Sequence, residues 1–112
     1  MEATDLRAFV EFEEGGTLRR TVFESERLWV QTLCLDRNGS YGPVADPASD
    51  AVLTILAGEA VFLVDKKRKR LQQWGSVLVP GAAELVVRNA SAEPLVVLMV
   101  VAPPPPAPDE GA

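Results

Sequence analysis

The chain of 112 residues has the length of one domain by the usual span of about 100–200 residues, enough to bury a single core. Hydrophobic residues make up 47% and charged residues 24%, a globular mixture, and the net charge of −5 excludes the basic surface that nucleic-acid phosphates require. Histidine is absent, which removes the commonest general base and the commonest metal ligand together. Acid–base chemistry would fall to carboxylates, Tyr41, Cys34, lysines or arginines.

Apolar residues recur in short segments divided by turn residues, and no stretch sustains a helical period. Residues 8–12 read as a strand, followed by a turn at Glu14-Gly15-Gly16. Residues 18–24 and 26–36 follow. The second carries Leu28, Val30, Thr32 and Cys34 on one face and Trp29, Gln31, Leu33 and Leu35 on the other, so both faces are expected to be partly covered. Residues 36–43 read as a loop turning at Asn38-Gly39, and Pro43 and Pro47 keep the next stretch extended. Residues 51–57 and 59–65 are strand-rich runs parted by Gly58, which suits a tight turn at positive φ. Residues 65–70 read as a charged, edge-protecting hairpin, 76–79 as a strand ended by Pro80-Gly81, and 83–88 as another. A turn over 89–94 leads to a final buried strand at 95–102. The expected organisation is one domain over 1–102 and an exposed, polyproline-like tail over 103–112.

Roughly eight or nine short strands with close turns predict an all-β sandwich or barrel, without choosing between an immunoglobulin-like sandwich and a jelly roll. No apolar run approaches the roughly 20 residues needed to span a bilayer, so no membrane association is expected. The acidic N-terminus lacks an apolar signal core, which makes the cytoplasm the default expectation. Cys34, the only cysteine, excludes an internal disulfide; with no histidine to activate it, it reads as a small core hydrophobe. Trp29 and Trp74 read as core or interface residues, and Asn89-Ala-Ser91 as a turn.

Residues 51–65 resemble the stretch of cupins that ends the first conserved motif at a glycine. Residues 74–89, Trp-Gly-Ser-Val-Leu-Val-Pro-Gly-Ala-Ala-Glu-Leu-Val-Val-Arg-Asn, resemble the second motif, and residues 93–104 the closing strand of small cupins. The resemblance implies an all-β, cupin-type jelly-roll barrel (a double-stranded β-helix). Counting back from Gly58 puts the motif's glutamate on Ala51 and its two histidines on Ala45 and Pro47, or on Val44 and Asp46. Counting from Pro80 puts the second motif's glycine on Ala82 and its histidine on Leu85, while the earlier glycine falls on Trp74 and Asn89 matches the closing asparagine. Asp46 is then the one potential ligand, short of the three that a transition-metal site generally needs. Neither metal nor cofactor is expected, and the family's metal-dependent chemistries do not transfer.

With Ala51 and Leu85 at ligand positions, the cavity turns apolar and is expected to be filled or to take an apolar ligand. Tyr41, Asp46, Ser49 and Asp50 would frame the mouth, as solvated turn residues or as contacts to a polar ligand. The expected function is a metal-free binding module for a small molecule or a protein partner, with candidate contacts at Tyr41, Asp46, Asp50, Ala51 and Leu85. The alternative is a metal-independent isomerase-type enzyme using Tyr41 with Asp46 or Asp50. Whether there is catalysis stays open at this point. Cupins commonly pair, and residues 26–36, apolar on both faces, are the expected contact of a homodimer.

Overall fold

Segments with alternate apolar side chains have one face to bury, and among the described residues nine strands form two sheets that enclose those faces. The computed structural model describes residues 1–105. The strands are β1 (Thr17–Glu24), β2 (Trp29–Leu35), β3 (Ser40–Val44), β4 (Asp50–Ala57), β5 (Glu59–Val64), β6 (Lys67–Gln72), β7 (Ser76–Val79), β8 (Leu85–Asn89) and β9 (Leu95–Ala102). One sheet has the order β1-β2-β9-β4-β7 and the other β3-β8-β5-β6, with every pairing antiparallel. This is the predicted all-β jelly roll. Among the described residues, no helix is long and apolar enough to cross a membrane.

The core lies between the sheets, where Leu33 and Leu35 of β2, Leu53 and Ile55 of β4, and Val97 and Met99 of β9 meet Phe62 of β5 and Leu85 and Val87 of β8. The alternation along β2 points Trp29, Gln31, Leu33 and Leu35 inward. Its outer residues Thr32 and Cys34 are buried as well, because the N-terminal segment lies over them. Thr32 Oγ1 donates to the carbonyl of Phe9 at 2.9 Å, and the Arg20 guanidinium stands 5.3 Å from the Phe9 ring. On the segment 26–36, where a homodimer contact is expected, β1 and β9 flank Trp29–Leu35, the core takes one side and the N-terminal segment covers Thr32 and Cys34 on the other, while Leu28 stays exposed.

The two sheets are tied at their edges. Thr17 Oγ1 of β1 donates to the carbonyl of Ser40 on β3 at 2.6 Å, and Arg19 Nη1 donates to Tyr41 Oη at 3.1 Å. Asn89 closes the far turns, its amide donating to the carbonyls of Leu35, Asp36 and Glu93 at 3.2, 3.2 and 2.7 Å.

Several expectations are corrected. Residues 8–12 form no strand: a 3-10 turn at Leu6–Phe9, capped by the Asp5 carboxylate, precedes irregular chain. Residues 36–43 are not all loop, since β3 begins at Ser40. The charged stretch turns only at Asp65-Lys66 and continues as β6, an edge strand whose Lys67, Arg68, Lys69 and Arg70 are exposed, as edge protection favours. Trp74 is no core residue, being 72% exposed. The first tail residues are docked, with the Pro103 carbonyl accepting from Ser49 Oγ at 2.6 Å and Pro104 and Pro105 partly buried. Residues 106–112 of the expected tail lie outside the described residues.

Backbone conformation supports the motif register. Gly58 has φ +92°, and a Cβ there would stand 2.6 Å from the Pro94 carbonyl oxygen. Trp74 (φ +74°) and Ala82 (φ +71°) hold left-handed conformations at the two positions where the second motif carries glycine. Gly58→Ala is expected to cost about 2 kcal/mol, from the left-handed backbone and the contact together. Trp74→Gly and Ala82→Gly should each gain about 0.5–1 kcal/mol, because relief of the left-handed penalty exceeds the extra entropy glycine loses on folding. Urea-unfolding midpoints check all three.

Candidate functional site

At one end of the barrel the core stops short of filling the space. Trp29 pairs with Val101, Val101 with Ala51 and Ala51 with Val79, a row crossing β2, β9, β4 and β7. From the opposite sheet comes the cross-strand pair Val44 and Leu85. These residues line a partly open cavity of about 40 Å³ together with Arg19, Gln31, Tyr41, Ala45, Asp46, Ser49, Pro80, Ala83 and Met99. That is room for roughly three water-sized groups, far below the ~300–1,000 Å³ of sites that enclose a whole drug-sized ligand. Most of the interior is thus filled, and the remaining opening suits the head of a small molecule.

Four of the five candidate residues, Tyr41, Asp46, Ala51 and Leu85, come together on this cavity. Asp50 does not. Its carboxylate accepts from the Gly81 amide at 2.8 Å and rivets the Pro80-Gly81 turn to the start of β4. Ser49 lines the cavity, but its hydroxyl is engaged by Pro103. The Asp46 carbonyl accepts from the Ser49 and Ala82 amides, which holds the β3–β4 loop against the turn after β7.

The polar centre of the cavity lies elsewhere. Gln31 is 2% exposed, and its Oε1 has no hydrogen-bond partner. A buried amide oxygen left unpaired costs about 1–3 kcal/mol, a cost that a donor entering the adjoining cavity would offset. Gln31 pairs across the sheet's ladders with Thr21 on one side and Met99 on the other. Arg19, opposite Leu33 on β1, shares that inward face. Its guanidinium stands 5.4 Å from the Trp29 ring centre and 5.9 Å from that of Tyr41, a cation held between two aromatic faces. Trp29 is fixed in turn by its indole N–H, which donates to Thr21 Oγ1 at 3.0 Å. Among the described residues Arg19 makes no ion pair, and it is exposed where it lines the opening.

Neither a family model nor a curated protein sequence matches the chain. Solved structures do. The TT1209 protein of Thermus thermophilus is 30% identical over 94% of this chain and 100% of that one, with a TM-score of 0.88. A Klebsiella pneumoniae protein described as having a double-stranded β-helix domain is 18% identical, covering 92% of this chain and 90% of its own, at a TM-score of 0.85. An RmlC-like cupin protein of Desulfovibrio desulfuricans is 20% identical over 93% of this chain and 98% of that one, at 0.82. The chain has the fold of the cupins, the double-stranded β-helix. Of the positions counted as metal ligands, Val44, Ala45, Asp46, Ala51 and Leu85 line the cavity and Pro47 does not. Leu85 is buried in the apolar core and Ala51 packs against it, leaving Asp46 as the single donor. Among the described residues no group of three acidic or cysteine side chains could hold a metal ion. The residues present do not fit the metal of the cupin motifs.

Cys34 has no part in the site. It lies on the outer face of β2 beneath the Phe9 carbonyl, and burial pushes its thiol pKa up. In the native protein it should resist a thiol reagent at pH 8, and removal of residues 1–12 should make it react; rapid labelling of the intact chain would contradict this burial. Gln31→Met, which keeps the shape and deletes the unpaired oxygen, should raise the ligand-free protein's stability by about 1 kcal/mol in urea unfolding.

Proposed function

We propose that this cupin-fold protein is a metal-free binding module that takes the polar head of a small molecule into the mouth of its barrel. The observation that carries this reading is the unpaired Oε1 of Gln31, sealed in the wall of the remaining cavity. A barrel filled only for stability would favour an aliphatic residue at this position, since an unmatched amide costs more than a hydrocarbon of equal shape. Trp29 and Tyr41 line the same cavity and hold the Arg19 guanidinium between their rings, which supports a polar head at this position.

The isomerase reading gains no support of its own. The Tyr41 hydroxyl is held by Arg19, and among the described residues no hydrogen bond joins it to Asp46 or Asp50. Asp50 is committed to the Gly81 amide.

Binding is tested by recording amide and indole NMR spectra against a set of small hydroxy acids, amino acids, polyols and sugars. Saturable shifts are expected at the Gln31 side-chain amide and the Trp29 indole, and Ala51→Leu, which fills the cavity, should abolish them while preserving the fold. Shifts that survive Ala51→Leu unchanged, or binding located only on other surfaces, would contradict the assignment.

A further inference from the structure

We infer that the ligand of this site is a short 2-hydroxycarboxylate, a class identified by the groups that the cavity leaves unmatched. The inference rests on the mouth of the barrel being a binding site. Gln31 Oε1 needs a hydrogen-bond donor, which a hydroxyl supplies and a bare carboxylate does not. Arg19 has donors to offer: it is exposed on the edge strand β1, one of its donors goes to Tyr41 Oη, and among the described residues no carboxylate pairs with it. Its fork of parallel N–H groups matches a carboxylate bidentately, and the Trp29 and Tyr41 rings hold it in a fixed orientation.

The placement of the two groups sets the size of the ligand. Thr21 faces Gln31 and Arg19 faces Leu33, so Arg19 and Gln31 are diagonal neighbours on one face of the β1–β2 ladder. Diagonal neighbours lie about 7–8 Å apart, within reach of long side chains, so both can engage one small molecule. The cavity of about 40 Å³ admits roughly three non-hydrogen atoms, so about half of such a ligand enters it and the carboxylate stays in the mouth beside Arg19. Its remaining wall, Met99, Val101, Ala51 and Leu85, is apolar and suits a methyl group rather than a second charge. Lactate satisfies all three demands: carboxylate on Arg19, hydroxyl on Gln31 Oε1 and methyl against the aliphatic wall. Asp46 stands at the rim, where its charge disfavours a second carboxylate on the ligand.

Three near-isosteric probes separate these demands, with shifts of the Gln31 amide and Trp29 indole as the readout. Lactate should bind with saturation. Propionate, which lacks the donor, and propane-1,2-diol, which lacks the charge, should each bind about tenfold or more weakly, as the loss of one charge-assisted or buried hydrogen bond implies. Gln31→Met should erase the preference for lactate over propionate and leave anion binding in place. Arg19→Gln should erase the preference for lactate over the diol, and Arg19→Lys should restore it in part. If lactate binds no better than either control, or alanine binds more tightly than lactate, the assignment of the class is overturned. If other small polar molecules shift the same resonances while lactate does not, the class falls and the binding site stands. If nothing shifts them, both fall.

Discussion

Two sheets packed face to face leave an interior that only side chains can fill, and every other property of this protein follows from how that space is closed. Alternate residues of β2, β4, β8 and β9 close it with aliphatic groups, so the middle of the barrel has no room for a ligand. The filling ends at one row, Trp29–Val101–Ala51–Val79, where a small alanine faces the opposite sheet. The cavity exists because Ala51 is small. It is polar because the next inward position on β2 is Gln31. Across the edges of the sheets, Arg19 and Tyr41 complete the closure and bring a cation to the opening.

The difference from a metal-binding barrel of this fold is chemical rather than architectural. The strands and turns that carry the ligand positions are all present, and the left-handed backbone at Trp74 and Ala82 shows that the turns keep a geometry made for glycine even where glycine has gone. What differs is the side chains. Leu85 is part of the core, the small Ala51 leaves space, and Asp46 lines the opening with no second ligand beside it among the described residues. The polar groups beside the cavity, Arg19 and Gln31, stand on the inward face of β1 and β2.

Much of this was legible in the sequence, for reasons tied to particular residues. The strands at 76–79 and 95–102 match residue for residue, because each is an apolar run bounded by proline, glycine or a polar turn. β3 was missed because Gly42-Pro43 interrupts a run too short to show alternation, and β6 because Lys67–Arg70 carries no apolar period on an edge strand. Residues 8–12 alternate like a strand, yet no free sheet edge receives them, and they serve as a cover for Thr32 and Cys34. Motif spacing brought Tyr41, Asp46, Ala51 and Leu85 to one cavity, whereas Asp50 differs because a turn amide claimed its carboxylate. Gln31 stood on the correct face from the outset. That its oxygen lacks a partner depends on what lies across the barrel, which no local pattern encodes. Arg19 sits in the run Leu-Arg-Arg-Thr, which reads as a solvated strand; only the meeting of β1 with β3 turns it toward Tyr41 and Trp29.

The central claim is that an organic ligand, and not a metal ion, completes this barrel. The most direct measurement is a crystal structure grown with lactate and a divalent zinc salt both present. The account predicts lactate density at the mouth, its hydroxyl within hydrogen-bonding distance of Gln31 Oε1 and its carboxylate on Arg19, with no metal among Val44, Asp46, Ala51 and Leu85. A zinc ion coordinated inside the barrel, or a mouth without lactate in which the Gln31 amide turns back to a protein partner, would contradict it.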